Sequence, residues 1–277
     1  MSKKSITFLA AVRDCGPYLP RIFNQIDSVR SHYQVNCVFV YDNCTDNSSN
    51  LLHEYKKKHF QTVEVFELKN NNSSIRTVRI ANARNKALSI FENRFAKISP
   101  FFIIFDPDNV NAGKEWNMKV LQYYLEEEED WDAISFNRSP YYDIWALMIP
   151  PYLYHCWGFG NNSKNIVHFM KFFMTMKLKK NPKYTSIEVW SAFNGFGIYK
   201  TDKFKGIRYD GTLSQFMKEK FLSKKDMENT LIAYRKALKN PNLNFKNAGN
   251  AHCEHLFYHL SAKRKNNVKI KVSTFVL

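Results

Sequence analysis

Phe101-Phe102-Ile103-Ile104-Phe105-Asp106-Pro107-Asp108 is the stretch that decides which fold this chain can adopt. Its five aromatic or β-branched residues follow a polar segment, a pattern that predicts a short strand buried on both faces of a sheet. Two carboxylates follow at once, and Pro107 cannot continue a central strand because it lacks an N–H. Ligands of open α/β sheets bind beyond the carboxyl ends of the strands, so we predict a ligand site here.

The D-P-D sequence offers two hard oxygen ligands on a stiff turn. Mg²⁺ and Mn²⁺ are typically bound in this way, by one or two carboxylates together with water and substrate phosphate. Turn formation alone is the alternative explanation, because Asp and Pro are both common in turns. These three residues do not separate the two interpretations, and the rest of the chain has to be considered.

The segments before this stretch alternate between strand and helix patterns. Apolar runs predict strands at 6–12, 36–41 and 63–68, and helical spacing predicts helices at about 18–29, 49–59 and 79–95. Such alternation predicts βαβ units and therefore an α/β fold with a mostly parallel sheet. No internal repeat or low-complexity linker interrupts the 277 residues, so we predict a single domain.

The net charge of +16 comes entirely from the second part of the chain. Residues 1–160 hold 18 Lys or Arg and 18 Asp or Glu, whereas residues 161–277 hold 23 and 7. This asymmetry predicts an anionic partner for the second part, such as nucleic acid, a membrane surface or a phosphorylated substrate. A solvated basic face without a partner is the alternative.

Cysteine usage and hydropathy indicate the cellular compartment of the protein. The five cysteines are scattered and form no C-x-x-C pair, so neither a disulfide framework nor a zinc site is expected. No stretch approaches the roughly 18 apolar residues that a membrane span needs. The first residues carry no signal-peptide pattern. A cytoplasmic location is therefore expected.

The order of several motifs resembles that of GT-A glycosyltransferases. Where the broad inverting family has D-D-x-S-x-D, A-R-N-x-G and D-x-D, this chain has Y-D-N-C-T-D at 41–46, A-R-N-K-A at 83–87 and D-P-D at 106–108. Further pieces look like those of glycosyltransferases encoded by large DNA viruses and some microbes: S-F-N-R at 135–138, F-N-G-F-G at 193–197 and C-E-H at 253–255. The resemblance spans roughly residues 6–259.

This resemblance implies a GT-A fold, with a nucleotide-sugar-binding half at 1–110 and an acceptor-binding half at 111–277. It implies metal-dependent transfer of a sugar from a nucleoside diphosphate sugar, with UDP favoured, to a hydroxyl of a glycan, glycoprotein or lipid-linked acceptor. The chemistry explains the carboxylates, because Mn²⁺ or Mg²⁺ can neutralise the charge that grows on a leaving diphosphate.

The resemblance also implies the metal ligands. Asp108 is the expected ligand, Asp106 is expected to contact the ion or the ribose, and His255 is the candidate third ligand. His252, His255 and His259 would share one face of a helix, which would equally suit a separate metal site. In an extended segment, His252 and His255 would point to opposite faces. We expect His255 to be the ligand, because it matches C-E-H, and the other two histidines to be structural.

Three further residues are expected to bind the donor. Asp42 follows the second strand and would accept hydrogen bonds from uracil or ribose, or else serve as a helix cap or in a turn. Arg84 would contact the phosphates or the sugar, or else be an ordinary surface arginine. Arg13 follows the first strand, where donor bases bind in this fold.

An inverting transferase needs a general base that takes the proton of the acceptor hydroxyl. Asp143 and Glu254 are the candidates, and neither the choice between them nor inversion against retention is decided by the sequence. Asp143 stands among Tyr141, Tyr142 and Trp145, whose apolar surroundings would raise its pKa. Glu254 neighbours the proposed ligand His255. The alternative role of Asp143 is a capping carboxylate, and that of Glu254 is a salt bridge.

Residues 165–180 extend beyond a minimal GT-A core. They are rich in aromatic residues and Met and end in lysines, a pattern compatible with an interfacial helix on anionic lipid. The alternative is a helix packed over the acceptor site or in a dimer interface.

Two other functions compete with glycosyl transfer. A basic nucleic-acid-binding protein would explain the charge, but the chain contains no recognised nucleic-acid module, and we expect no nucleic-acid partner. A metal-dependent nucleotidyl or phosphoryl transferase would need a triphosphate-binding loop, and neither G-x-G-x-x-G nor G-x-x-x-x-G-K-[ST] occurs.

Overall fold

A computed structural model describes residues 3–127, 130–138, 140–153, 158–159, 163–180, 186–246 and 249–277. The strands are β1 (Ser5–Val12), β2 (Gln34–Tyr41), β3 (Val63–Glu67), β4 (Phe101–Phe105), β5 (Ala133–Asn137), β6 (Ser186–Val189), β7 (Phe196–Lys200) and β8 (Ile270–Val276). The helices are α1 (Leu19–Arg30), α2 (Ser48–Lys58), α3 (Arg76–Arg94), α4 (Asn109–Ala112), α5 (Met118–Glu126), α6 (Ser163–Lys180), α7 (Thr201–Phe204), α8 (Leu213–Glu219), α9 (Lys224–Ala237) and α10 (Glu254–Asn266).

The strands form one sheet in the order β3-β2-β1-β4-β7-β5-β8-β6. β3, β2, β1 and β4 are parallel to one another, and β5 is parallel to β8. β7 runs antiparallel between β4 and β5, and β6 runs antiparallel to β8. The predicted α/β class with a single, mostly parallel central sheet is confirmed. The antiparallel insertion of β7 was not predicted.

Strand β4 is buried on both faces, as its apolar run predicts. Phe102 and Ile104 belong to the hydrophobic core on one side of the sheet. Ile103 and Phe105 belong to the core on the other side, because successive side chains of a strand point to opposite faces. Helices therefore cover both faces here, and only the carboxyl end of β4 is open to a ligand.

The chain changes direction across the sheet between β1 and β4. From β1 it proceeds outward to β2 and β3, and it then returns to place β4 on the other side of β1. Such a switch point leaves a crevice beyond the carboxyl ends of the two central strands. The D-P-D turn follows β4 directly, so the fold places both carboxylates at this crevice.

Two predicted helix boundaries differ from those observed. α3 begins at Arg76, almost a turn before the expected start, with Ile75 in extended conformation before it. α2 begins at Ser48, and the side chain of the residue before it accepts no capping bond. Instead Asp46 Oδ1 accepts from the Ser48 N–H at 2.9 Å. Within the described parts of the chain, no helix is both long and apolar enough to cross a membrane.

Gly211 lies against the first turn of α3. A Cβ at this position would come within 2.3 Å of the carbonyl carbon of Thr77 and 2.4 Å of its oxygen, backbone atoms that no rotamer change can move. The Thr77 hydroxyl also donates to the Gly211 carbonyl at 2.6 Å. We therefore expect Gly211→Ala to lower the free energy of unfolding by about 2 kcal/mol, the usual cost of overpacking. Urea denaturation measures it, and an unchanged midpoint would contradict this close packing.

Candidate active site

One cavity of about 710 Å³ opens at the carboxyl ends of β1, β2 and β4. Its walls include all eight side chains singled out from the sequence: Arg13, Asp42, Arg84, Asp106, Asp108, Asp143, Glu254 and His255. They come from strand ends, from the middle of α3, from the segment after β5 and from the start of α10. The structure therefore brings together residues up to 242 positions apart in the chain.

Arg84 lies at the centre of a buried charge network. Its guanidinium forms ion pairs with Glu254 and, at 2.8 Å, with Asp106 Oδ1. The rings of Phe193 and Tyr209 lie 5.0 and 5.6 Å from its Cζ atom, within cation–π range. The alternative of an ordinary surface arginine is wrong. Arg84 links the D-P-D turn after β4 to the start of α10.

The two D-P-D carboxylates occupy different environments. Asp108 caps the short helix α4, because its Oδ1 accepts from the Val110 N–H at 2.9 Å. Its Oδ2 makes no hydrogen bond to a described residue. Asp106 keeps 30% of its side chain exposed. Burial and the nearby carboxylates of Asp108 and Asp143 raise the pKa of Asp106, although Arg84 opposes the shift.

Asp143 is held by the backbone of two segments. The N–H groups of Ala146 and Asn194 donate to its Oδ1 and Oδ2, each at 3.3 Å. The Asp143 N–H in turn donates to Asn194 Oδ1 at 3.1 Å. Burial raises the pKa of Asp143 to about 6, outweighing these hydrogen bonds, in the direction expected from its aromatic neighbours. The capping role that was expected as the alternative is also observed, because the Asp143 carboxylate accepts from the Ala146 N–H, three residues further along the chain.

His255 is buried beside the carboxylates. Its ring stacks on Phe193 at 3.8 Å, and its Nδ1 lies 3.5 Å from the Tyr209 hydroxyl. Its Nε2 is buried without a hydrogen-bond partner, which native structures rarely leave unexplained. Burial, reinforced by Arg84, lowers the pKa of His255. The neutral imidazole that results is the form that binds metal ions.

The other two histidines differ from His255. His259 is satisfied on both ring nitrogens, by the hydroxyls of Ser191 at 2.8 Å and Tyr199 at 3.1 Å. His252 precedes α10 and stacks on Phe216 at 3.8 Å. The three histidines therefore do not share one helix face, and their expected structural roles agree with these contacts.

Asp106, Asp108 and His255 do not form a closed cluster. Among the described residues, the one group of three possible ligands whose atoms all lie within 4.8 Å of one another is Asp14, Cys44 and Asp46. The carboxylates of that group already accept from backbone N–H groups, Asp14 from Thr45 at 2.6 Å and Asp46 from Gly16 at 2.8 Å. Turn formation explains this group, and it needs no metal ion.

The ends of β1 and β2 form the side of the cavity that is expected to bind the donor. Asp42 is buried, and its Oδ2 accepts from Asn71 Nδ2 at 2.6 Å. Asn71 also donates to the Arg79 carbonyl at 2.9 Å, so the loop before α3 fixes this carboxylate. The helix-cap alternative for Asp42 is therefore wrong. Arg13 lies at the rim with its side chain 45% exposed.

Two residues outside the predicted set hold the cavity in shape. Asn194 adopts a left-handed conformation (φ 53°) and binds both the main chain and the carboxylate of Asp143. Arg138 donates to the carbonyl oxygens of Val110 at 2.7 Å and Asn194 at 3.1 Å, which joins the turn after β4 to the turn before β7. The Asn-Gly pair at 194–195 is a turn signal that could have identified the first of them.

Gly195 lies in the turn before β7 and is not part of the lining of the cavity. A Cβ there would lie 2.7 Å from both the Tyr142 hydroxyl and Val110 Cγ1, and its carbonyl accepts from the Asp106 N–H at 3.0 Å. Its role is to let the β7 turn pack against the D-P-D turn. Gly197 lies within β7.

Comparisons with known proteins give weak similarities. No family model and no curated protein matches the sequence. Among solved structures, the chain is similar to residues 1–349 of TarS from S. aureus, with 15% identity and a TM-score of 0.41 over 90% of this chain and 59% of that one. It is also similar to the mannosyltransferase PcManGT from Pyrobaculum calidifontis in complex with GDP-Man and Mn²⁺, with 12% identity and a TM-score of 0.36 over 74% and 46%.

A third similar structure is the glucosyl-3-phosphoglycerate synthase from Mycobacterium tuberculosis in complex with Mn²⁺, UDP and glucosyl-3-phosphoglycerate. The identity is 8% and the TM-score 0.41, over 74% of this chain and 59% of that one. The chain spans less than two thirds of the length of each of these three structures. Function therefore has to be inferred from the residues of the cavity.

Proposed function

We propose that this protein is a metal-dependent glycosyltransferase, which moves a sugar from a nucleoside diphosphate sugar to an acceptor hydroxyl. UDP is the expected nucleotide, and a glycan, a glycoprotein or a lipid-linked sugar is the expected acceptor. The observation that carries the proposal is one cavity at the switch point of the sheet, whose lining includes the D-P-D carboxylates, the desolvated Asp143 and the buried imidazole of His255 with its free nitrogen. The D-P-D carboxylates and the imidazole have the chemistry to bind a metal ion, and Asp143 has the chemistry to take a proton from the acceptor.

The charge of the cavity supports a cation. Its walls carry six carboxylates but only four arginines, and Arg84 is already paired with two of the carboxylates. A diphosphate entering such a cavity meets net negative charge unless a divalent ion comes with it. Asp106, Asp108 and His255 would hold that ion once their side chains move closer together, because their ligand atoms do not all lie within 4.8 Å of one another in this structure. Hard carboxylate oxygens suit Mn²⁺ and Mg²⁺. The bound ion would neutralise the leaving diphosphate.

The surroundings of the two candidate bases favour Asp143. Glu254 is paired with Arg84, which occupies its carboxylate. Asp143 has no cationic partner within hydrogen-bond reach among the described residues, and its pKa of about 6 suits a base working near neutral pH. We therefore assign proton removal from the acceptor hydroxyl to Asp143. Glu254 acts as a positioning residue that holds Arg84.

Calorimetric titration with UDP and with GDP, each with Mn²⁺ and with EDTA, tests the donor site. We expect one nucleotide to bind in Mn²⁺ and not in EDTA. Asp108→Asn should weaken binding about 10- to 100-fold, the usual effect of disturbing a metal site. Asn is chosen because it still caps α4, which separates loss of the ligand from loss of the fold.

Asp130→Asn is the matched control, because Asp130 lies at the surface and, among the residues that the structure describes, pairs only with Lys269. It should leave nucleotide binding unchanged. Binding that is equal in EDTA, or that survives in Asp108→Asn, would contradict the metal site. Absence of binding by either nucleotide to the folded protein would contradict the proposed function itself.

A further inference from the structure

Helix α6 is anchored to the hydrophobic core by one face. Its buried residues recur every four positions: Ile166, Met170, Met174 and Leu178. All belong to the core on one side of the sheet, and Phe169 and Phe173 pack at its margin against Tyr152 at ring distances of 5.2 and 5.1 Å. This face of α6 is therefore packed against the core, whereas a position over the acceptor site or in a dimer interface stays a prediction. The apolar residues on the opposite face remain to be explained.

The outer face of α6 also carries large apolar side chains. Phe172 is 63% exposed and Met176 is 37% exposed, one turn apart in the middle of the helix. A surface helix of a water-soluble domain usually has one apolar stripe and a polar opposite face. Here the apolar stripe needed for the core is complete without these two residues. Their exposure leaves apolar surface in water that a partner can cover.

The charges on α6 have one sign. The helix carries five lysines, at positions 164, 171, 177, 179 and 180, and no Asp or Glu. Those in the last turn suit the negative end of the helix dipole, but Lys164 lies in the first turn, where a cation is unfavourable. Lys164, Lys171, Lys179 and Lys180 form no ion pair with a described residue. Helix stability therefore does not account for all of these charges.

We propose that the outer face of α6 adsorbs to an anionic lipid surface. Phe172 and Met176 would enter the boundary between headgroups and acyl chains, and the lysines around them would contact lipid phosphates. Because α6 is already folded and docked on the core, adsorption costs no conformational entropy of helix formation. The inference rests on α6 alone and does not depend on the proposed function.

Two other partners fit this face less well. A second copy of the chain meeting it across a twofold axis would bring ten like charges together, which disfavours association. Nucleic acid would match the charge, but it offers no apolar layer for Phe172 and Met176 at the centre of the face. An anionic membrane alone provides both a charged surface and an apolar layer beneath it.

Flotation with vesicles tests the proposal. Vesicles of phosphatidylcholine alone are compared with vesicles that contain an equal part of phosphatidylserine, at low and at high salt. We expect binding only to the anionic vesicles, weaker at high salt. Phe172→Ser and Lys179→Glu should each lower the partition coefficient about 5- to 10-fold.

Phe60→Ser is the matched control, because Phe60 is a similarly exposed phenylalanine (70%) just after α2. It should leave partitioning unchanged, and thermal unfolding should confirm that all three variants fold. No binding to anionic vesicles, equal binding to neutral ones, or full binding by Phe172→Ser would overturn the proposal. The proposal would also be overturned if the protein does not bind vesicles but forms a dimer that Phe172→Ser dissociates. The same conclusion would follow if the protein does not bind vesicles but binds an oligonucleotide, and only Lys179→Glu loses that binding.

Discussion

Asp143→Asn should lower kcat for sugar transfer about 10³-fold while leaving nucleotide affinity nearly unchanged. The reason is that an amide cannot take the proton of the acceptor hydroxyl, and general-base catalysis typically contributes 10²- to 10⁴-fold. Asn keeps one of the two acceptors that bind the backbone N–H groups of Ala146 and Asn194. Thermal unfolding of the variant therefore has to be measured beside the kinetics, to show that the variant folds. The kinetics use a sugar donor of the nucleotide that the binding experiment identifies.

The pH profile provides a second readout of the same assignment. Asp143 acts as a carboxylate, and burial raises its pKa to about 6. The rate should thus fall about tenfold for each unit of pH below that value, because the protonated fraction rises as the pH falls. In Asp143→Asn this acidic limb should disappear from the residual rate.

Glu254→Gln is the informative comparison. Gln retains an oxygen that can accept from Arg84, so we expect a smaller loss of kcat than in Asp143→Asn. If instead Glu254→Gln abolishes transfer and Asp143→Asn does not, the assignment of the base is wrong. A product that retains the anomeric configuration of the donor would also contradict it, because direct attack by a deprotonated acceptor inverts that configuration.

Arg84→Leu should lower the free energy of unfolding by about 3 to 5 kcal/mol at neutral pH in EDTA. The change leaves the buried Glu254 carboxylate, and the partly exposed Asp106, without their cation, which is the costly way to break a buried ion pair. Burial already raises the pKa of Asp106 above its ordinary value, and Arg84 opposes this shift, so loss of Arg84 should raise that pKa further. The penalty should therefore shrink as the pH falls and Asp106 becomes protonated.

Arg208→Leu is the control for this experiment. Arg208 also pairs with a glutamate, Glu92, but 41% of its side chain is exposed, so the loss should be less than about 1 kcal/mol. Urea denaturation of both variants at neutral and mildly acidic pH measures the difference. Equal losses in the two variants, or a penalty for Arg84→Leu that grows as the pH falls, would contradict the buried network.

The sequence by itself determined the parallel part of the sheet and the place of the cavity. The apolar runs of β1, β2 and β4 and the polar residues that end them are local signals, because hydrophobic period and turn chemistry act over a few residues. Parallel strands open their carboxyl ends at the same edge, so Asp42, Asp106 and Asp108 had to lie near one another. The C-E-H motif placed His255 and Glu254 there only through a resemblance.

The tertiary structure alone decided what each of these residues does. Arg84 meets Glu254 across 170 positions of the chain, and no local pattern predicts that pairing. No local pattern predicts that Asn194 binds Asp143 either. Nor does one predict the free nitrogen of His255, because this nitrogen depends on how α10 packs against Phe193. Helix α6 is a further example, since its composition indicated an apolar helix that ends in lysines, but only packing showed which face the core uses. Long-range contacts determine burial, and burial determines which charges are paired and which protons can move.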